Sequence, residues 1–308
     1  MTVADDHFPS VNKKHMRGAF QRAADTYDAS AVLQREIADR LLARLDLIKL
    51  TPARILDAGC GTGYGARALA RRYPRAHIIG MDLAPGMTMQ ARQQRKARSD
   101  IRQWLGRGRD RYVCGDVESL PLATASVDMV FSNLVLQWCD ARLAFAEFLR
   151  VLRPGGVLMF SSFGPDTLRE LRRAWAAADA ATPHVHAFVD MHDLGDALVR
   201  AHFADPVMDT EYLTLTYADV MAVLRELKAI GAHNVAPQRS LGLTGKHRFA
   251  RFVSAYESQR RPDGTIPATY EVVYGHAWVA ASPRGSVAGT DGTVVIPLDR
   301  IGRRTVSK

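Results

Sequence analysis

The chain has 308 residues, of which 47% are hydrophobic and 24% are charged, and this balance excludes a mainly disordered protein. The three cysteines, Cys60, Cys114 and Cys139, are odd in number and lack C-x-x-C spacing, so neither a disulfide framework nor a zinc site is indicated. Residues 1–30 show no secretory signal, and no stretch reaches the roughly 20 apolar residues of a membrane helix. We therefore expect a soluble cytoplasmic protein with no membrane partner.

The predicted elements begin with helices, because apolar residues recur at helical spacing from about Lys13 to Leu45 and predict two amphipathic helices. Apolar runs then alternate with helical segments as far as Phe163. Strands are predicted at 54–57, 76–82, 111–116, 127–132 and 156–163, and helices at 64–72, 85–98 and 141–152. Pro154-Gly155-Gly156 predicts a turn before the last of these strands. Strands that alternate with crossover helices form a parallel, doubly wound sheet.

Beyond Phe163 the alternation ends. Helices are predicted at 166–179, 191–203 and 216–230, and strands at 206–216 and 269–281. We therefore predict an α/β fold with a doubly wound, mostly parallel seven-stranded sheet, N-terminal helices and a helical cover. Three regions are predicted along the chain: a helical lid segment at 1–50, an α/β domain with helical insertions at 51–282, and a loosely ordered tail at 283–308.

The most informative stretch is the glycine-rich loop within Ile-Leu-Asp-Ala-Gly-Cys-Gly-Thr-Gly-Tyr-Gly, residues 55–65. A buried strand delivers Asp57, and Gly59, Gly61 and Gly63 then let the backbone approach a ligand closely. A dinucleotide site presents a helix N-terminus to a pyrophosphate, which Asp57 would repel, and the spacing departs from G-x-G-x-x-G. S-adenosylmethionine has no phosphate and carries a cationic sulfonium and ammonium. The loop therefore favours S-adenosylmethionine as the cofactor.

Polar residues also end the next three strands. Asp82 closes the second strand, where a carboxylate can accept hydrogen bonds from ribose hydroxyls, and Asp116 closes the third, in reach of an adenine amino group. Asn133 ends the fourth. Open α/β sheets bind ligands at the carboxyl ends of their strands, so these residues, with Leu83 and Val117 after the two acids, complete the predicted cofactor site.

The loop, the position of Asp82 and the run at 115–139 resemble the class I S-adenosylmethionine-dependent methyltransferases. Within them the sequence is most similar to the BioC family, the malonyl-[acyl-carrier protein] O-methyltransferases of biotin biosynthesis. The runs Asp-Val-Glu-Ser-Leu-Pro-Leu-Ala and Asn-Leu-Val-Leu-Gln-Trp-Cys carry this similarity, and further matches are scattered over about residues 13–280. The resemblance implies methylation of the free carboxylate of a malonyl group on acyl carrier protein. The basic region at 98–111 is longer than the family pattern, and the tail beyond Ser282 has no counterpart.

Such a carboxylate has an ordinary pKa of about 4 and is ionised at neutral pH, so the reaction needs no general base. Orientation of the reactants would supply most of the catalysis. Tyr27 and Arg22, near the N-terminus, are the predicted catalytic residues if that segment folds over the site. Trp138 and His184 are predicted to line the substrate pocket. Sulfonium methyl transfer needs no metal, and none is predicted.

A basic window extends from Arg92 to Arg111 and contains eight basic residues but only Asp100 and Asp110 as acids. This excess suits an acidic partner, and we predict that it docks malonyl-acyl carrier protein, with Arg102, Arg107 and Arg109 in the contact. The other interpretation is a solvated helix end and loop. The protein is expected to be a monomer.

Other functions remain open from the sequence. The run at 163–171 and Pro-Ala-Thr-Tyr at 267–270 also resemble methyltransferase-like assembly factors of respiratory complex I. The basic window, which contains Trp104, is also compatible with a nucleic-acid methyltransferase. That function is disfavoured because Asn133-Leu134-Val135-Leu136 is not the Asn-Pro-Pro-aromatic motif typical of adenine N-methylation. A methyltransferase for another small carboxylate, and a binding module without turnover, are the remaining alternatives.

Overall fold

Seven strands form the main sheet of the protein in the computed structural model. The structure describes Phe8, Asn234, Gly242 and residues 11–97, 111–232, 244–281, 287–288 and 294–295. The strands are β1 (Arg54–Ala58), β2 (His77–Asp82), β3 (Arg111–Cys114), β4 (Val127–Asn133), β5 (Leu152–Phe163), β6 (Ala204–Tyr217) and β7 (Ile266–Trp278). Their order is β3-β2-β1-β4-β5-β7-β6, with β7 antiparallel to both of its neighbours and the other pairs parallel. The predicted fold class is confirmed.

Three N-terminal helices replace the two that the sequence predicts: α1 (Lys13–Ala23), α2 (Tyr27–Ser30) and α3 (Val32–Arg44). The Asn12 side chain caps α1 by accepting from the His15 N–H at 2.9 Å. The Thr26 hydroxyl donates to the Ala23 carbonyl at 3.3 Å, a local bond that competes with helix continuation. α1 therefore ends at Ala23, and α2 begins at Tyr27.

The remaining helices are α4 (Tyr64–Arg72), α5 (Pro85–Ala97), α6 (Ala141–Val151), α7 (Arg169–Ala178), α8 (Met191–Arg200), α9 (Val220–Ala229) and α10 (Lys246–Glu257). Two hydrophobic cores cover the two faces of the sheet. Helices α3, α4, α7, α9 and α10 contribute to the core around Phe131 and Tyr256. Helices α6 and α8 contribute to the core around Phe145 and Phe160. Covering both faces is what a parallel sheet requires.

Several predicted boundaries are wrong. β3 ends at Cys114, so Asp116 follows the strand rather than closing it, and β7 covers Ile266–Trp278 rather than 269–281. β5 begins at Leu152 rather than at 156, because Leu152 pairs with Val127 before a register shift, and Gly155 within the shift adopts a φ of 77°. β6 extends through Tyr217, so the following helix begins only at Val220. Helix α10 was not predicted, although Phe249, Phe252, Val253 and Tyr256 have helical spacing within it.

Two sequence predictions fall largely outside the described residues. Residues 98–110 of the basic window are among them, and so is most of the predicted tail at 283–308. Within that tail the structure describes β8 (Val287–Ala288) and β9 (Val294–Val295), which pair antiparallel. The predicted lid segment at 1–50 stays a prediction, and in it Ile37 and Leu41 of α3 are fully buried in the core of the sheet. Lys13 of α1 instead contacts Asp116, which follows β3.

Candidate active site

A cleft of about 180 Å³ opens where the carboxyl ends of β1, β2, β3 and β4 meet, beneath α1 and the C-terminal end of α9. Parallel strands place the residues that follow them at one edge of the sheet. Most of the predicted site residues line this cleft: Tyr27, Gly59, Gly61, Asp82, Leu83, Asp116, Val117, Asn133, Trp138 and His184. Asp57 lies behind the glycine loop, in an adjoining cavity that Tyr27, Gly59 and Gly61 also line.

The glycine loop has left-handed backbone at all three predicted positions, with φ of 75° at Gly59, 52° at Gly61 and 85° at Gly63. A Cβ on Gly59 would lie 2.1 Å from the Val135 side chain, so this glycine is required for packing. A Cβ on Gly61 would meet nothing within 4 Å and would project into open space at the cleft. The structure places Gly63 at the start of α4 and does not bring it to the cleft wall.

Asp57 is buried at the end of β1, and only 2% of its surface is exposed. One of its carboxylate oxygens, Oδ2, has no hydrogen-bond partner among the described residues. Burial raises the pKa of Asp57 to about 7, and the nearby Asp82 carboxylate adds to the rise, against a hydrogen bond from the Ala66 N–H. A cation beside this oxygen would give it a partner and would favour the ionised form of the Asp57 carboxyl.

Asp82 joins the first two loops of the site. Its Oδ2 accepts from the Gly61 N–H at 2.9 Å, and its Oδ1 accepts from the Ala84 N–H at 2.9 Å. Burial raises the pKa of Asp82 to about 6, while the two backbone hydrogen bonds oppose that rise. Each carboxylate oxygen retains a lone pair that can accept a further hydrogen bond.

The first residue of α1 closes over the end of β3. Lys13 Nζ lies 2.6 Å from Asp116 Oδ2 and 2.5 Å from Glu118 Oε2, while Asp116 Oδ1 accepts from the Glu118 N–H at 3.0 Å. Burial lowers the pKa of Lys13, but the hydrogen bonds to the two carboxylates outweigh it and leave that pKa raised. Sequence analysis missed Lys13, since nothing in the local pattern links it to Asp116, 103 residues away.

Asn133 and Tyr27 complete the cofactor end of the cleft. Asn133 is held by Ser161, whose hydroxyl donates to its Oδ1 at 2.8 Å, and it donates to the Gln34 carbonyl at 3.1 Å. Burial, Asp82 and Asp28 raise the pKa of Tyr27, so its phenol stays protonated and can donate a hydrogen bond.

Arg22, the other predicted catalytic residue, is exposed on α1, and the structure does not bring it to the cleft. Its predicted role stays a prediction.

Aromatic side chains line a second part of the cleft. Trp138 meets Phe20 edge to face, with ring centroids 5.4 Å apart, and lies 5.0 Å from the ring of His186. Phe188 follows, 4.5 Å from His186. His184 is stacked on Trp175 at 3.8 Å, and its Nε2 lies 3.1 Å from Asp179. Phe20, His186 and Phe188 were not predicted as site residues. Phe20 lies on α1, whose helical spacing does not show which segment its side chain meets, and the two others lie on an irregular segment.

The residues present fit S-adenosylmethionine. A buried carboxylate with an unpartnered oxygen, at Asp57, suits the cationic end of that molecule, and the open space at Gly61 leaves room beside it. Asp82 and Asp116 offer acceptors for hydroxyl and amino groups, and Leu83 and Val117 offer apolar surface. Within residues 11–97, 111–232 and 244–281, no cluster of three His, Cys, Asp or Glu side chains could hold a metal ion.

This sheet order, with a glycine loop after β1 and acids at the ends of β1 and β2, defines a class I S-adenosylmethionine-dependent methyltransferase, and S-adenosylmethionine is the methyl donor. A family model described as "Methyltransferase domain" matches residues 56–160. The chain belongs to the malonyl-[acyl-carrier protein] O-methyltransferase family. It is 57% identical over 288 residues to the protein of that name from Gallionella capsiferriformans, covering 93% of this chain and 96% of the relative.

A second relative of the same name, from Laribacter hongkongensis, is 55% identical over 276 residues, covering 89% of this chain and 92% of the relative. Among solved structures, the YcgJ protein of Bacillus subtilis aligns with a TM-score of 0.54 at 17% identity, over 79% of this chain and 99% of that one. A Bacillus halodurans C-125 structure aligns with a TM-score of 0.55 at 16% identity, over 79% of this chain and 100% of that one. These two structures support the fold alone. None of the helices in the described part of the chain has the length and apolarity to cross a membrane.

Substitution Gly61→Val should abolish binding of S-adenosylmethionine and leave the fold intact, because the new side chain would enter open space at the cleft. Isothermal titration calorimetry measures the binding, and circular dichroism measures the fold. Gly264→Val is the matched control, since Gly264 also has a positive φ, of 80°, with nothing within 4 Å of its Cβ, and lies away from the cleft. Both variants bear a similar backbone strain of roughly 1–2 kcal/mol. Normal binding by Gly61→Val would show that the loop does not contact the cofactor.

Proposed function

We propose that the chain methylates the free carboxylate of a malonyl group carried on acyl carrier protein, which yields a methyl ester for the early steps of biotin synthesis. The supporting observation is that one cleft is lined both by acids, around Asp82, and by aromatic side chains, around Trp138; these parts are the acidic end and the aromatic end. A cationic methyl donor suits the first end, and a short acyl chain suits the second. The family to which the chain belongs favours this substrate over the other functions that the sequence leaves open.

The reaction would use few protein groups. When bound, S-adenosylmethionine supplies an electrophilic methyl group to an oxygen of the substrate carboxylate. That carboxylate is ionised at neutral pH, since its ordinary pKa is about 4, and no side chain has to remove a proton. Asp57 and Asp82 would hold the cofactor, and the neutral Tyr27 phenol would donate a hydrogen bond beside them. Orientation, worth about 7–11 kcal/mol in favourable systems, is then the main contribution of the protein.

The aromatic end would exclude water from the carboxylate. The positively charged guanidinium of Arg172, on α7, lies close to the aromatic end. It donates to the carbonyls of Pro165 at 2.6 Å and Thr167 at 3.1 Å. Thr167 lines the cleft, and Arg172 acts electrostatically on His186. These contacts hold the guanidinium behind the cleft wall. It would attract an anionic substrate without forming a close ion pair that weakens the nucleophile.

Mass spectrometry of intact acyl carrier protein tests this function directly. With S-adenosylmethionine and the purified chain, malonyl-acyl carrier protein should gain the mass of one methylene group, and acetyl-acyl carrier protein should gain none. Gly61→Val serves as the inactive control. A chain that binds S-adenosylmethionine but leaves the malonyl carrier unchanged would contradict the proposed substrate.

The carrier protein would dock on the rim of the cleft. Arg17 of α1 lines the cleft and is exposed, and Lys14 and Lys228 are exposed beside it on α1 and α9. None of the three forms an ion pair within the described residues. Acyl carrier proteins are acidic, so these cations would steer the encounter at the mouth through which the acyl arm must enter.

Reversing these charges together, as Lys14→Glu, Arg17→Glu and Lys228→Glu, should raise the KM for malonyl-acyl carrier protein roughly tenfold at low salt and less at high salt. The KM for malonyl-CoA, which has no carrier protein, should stay unchanged. Lys49→Glu is the control, because Lys49 is exposed before β1, at the opposite edge of the sheet. Steady-state kinetics on both substrates supply the comparison. Equal losses on both substrates would place the docking surface elsewhere.

A further inference from the structure

One buried polar group of the cleft takes no part in the contacts that would hold the cofactor. His186 lies between α7 and α8, lines the cleft and is only 7% exposed. Its Nε2 atom is buried and finds no hydrogen-bond partner among the described residues. Buried polar atoms in native proteins are nearly always paired, so an unpaired one on a side chain that lines a cleft points to a ligand atom.

The neighbours of His186 make it a neutral donor. Trp138 and Phe188 flank its ring at 5.0 and 4.5 Å. Burial and the positive charge of Arg172 lower the pKa of His186 to about 4. The imidazole is therefore uncharged at neutral pH, where it can donate one hydrogen bond but adds no positive charge.

Three other polar side chains that line the cleft near His186 are already engaged. Thr167 exchanges hydrogen bonds with the backbone of Glu271. Gln137 donates to the Leu134 carbonyl and accepts from Ser162. His184, two residues before His186, is stacked on Trp175 and contacts Asp179. Of these four side chains, His186 alone has a buried polar atom that lacks a hydrogen-bond partner among the described residues.

We propose that His186, with its proton on Nε2, donates a hydrogen bond to the free carboxylate of the malonyl group and positions it for methylation. This assignment rests on the proposed function. A neutral donor suits the task, because it orients one carboxylate oxygen while leaving more nucleophilic character on the other than a cation in contact would. The sequence indicated His184 for the substrate pocket, and His186 is the better-placed histidine for this contact.

His186→Phe tests the assignment, because it keeps an aromatic ring between Trp138 and Phe188 and removes the donor. We expect kcat/KM for malonyl-CoA and malonyl-acyl carrier protein to fall roughly tenfold to hundredfold, as for the loss of one hydrogen bond to a charged group. Affinity for S-adenosylmethionine and the melting temperature should stay near wild-type values. His186→Gln, whose amide N–H can take the place of Nε2–H, should recover most of the loss. His192→Phe, at an exposed position on α8, is the control for histidine replacement.

Binding measurements keep this test separate from the test of turnover. Calorimetry with malonyl-CoA in the presence of S-adenosylhomocysteine reports on the same contact without methyl transfer, and His186→Phe should weaken this binding while His186→Gln should not. If wild-type protein binds malonyl-CoA in this way but does not methylate malonyl-acyl carrier protein, the proposed function fails, and weaker malonyl-CoA binding by His186→Phe would still support the contact between His186 and the carboxylate. If His186→Phe matches wild type in turnover and in malonyl-CoA binding, or if Gln is as impaired as Phe, the assignment is overturned.

Discussion

Burial of carboxylates at the carboxyl ends of β1 and β2 is the constraint on which the rest of the site depends. A buried acid without a cation is costly, and here burial brings the pKa of Asp57 to about 7 and that of Asp82 to about 6. Two backbone N–H groups, from Gly61 and Ala84, donate to Asp82 and fix both loops around it. The glycine loop is needed because only a backbone without Cβ atoms can turn this tightly over the acids and leave the space at Gly61 open.

The acidic end and the aromatic end of the cleft differ in charge, and this difference determines which reactant each would bind. The acidic end carries carboxylates that a cation would neutralise. The aromatic end contains the neutral His186, and backbone carbonyls hold Arg172 behind its wall. An anionic acyl group and a cationic methyl donor would therefore settle at opposite ends, with their reactive groups facing each other. The protein needs no general base, since the substrate enters with its charge already formed.

Features that follow from local pattern could be predicted from the sequence. The alternation of strands and helices fixes a doubly wound sheet, and the position of Asp82 at the end of a strand places it at the ligand-binding edge. Contacts between distant segments could not be predicted. Lys13 reaches Asp116 only because α1 folds back over β3, and no sequence spacing encodes that return.

The sequence also could not show which of two neighbouring histidines is placed to contact the substrate. His184 and His186 lie on an irregular segment, where no helical or strand period says which ring points toward the cleft. Arg22 shows the same limit on a helix, because an amphipathic pattern places it on α1 but does not tell which partners the exposed face meets. Packing between distant segments determines both the direction of the histidine rings and the surroundings of Arg22, and it depends on the whole chain.

The number of protons released when S-adenosylmethionine binds tests most directly whether the buried carboxyls of Asp57 and Asp82 ionise to hold a cation. At pH about 6.5, a carboxyl with a pKa of about 7 and one with a pKa of about 6 together hold about one proton, which a bound cation should expel. Calorimetry in two buffers of different ionisation enthalpy measures this number. We predict release of about one proton per cofactor, a clear reduction of this number in Asp57→Asn, and stronger binding as the pH rises through this range. Binding without proton release at that pH, and with an affinity that does not change with pH, would contradict this prediction.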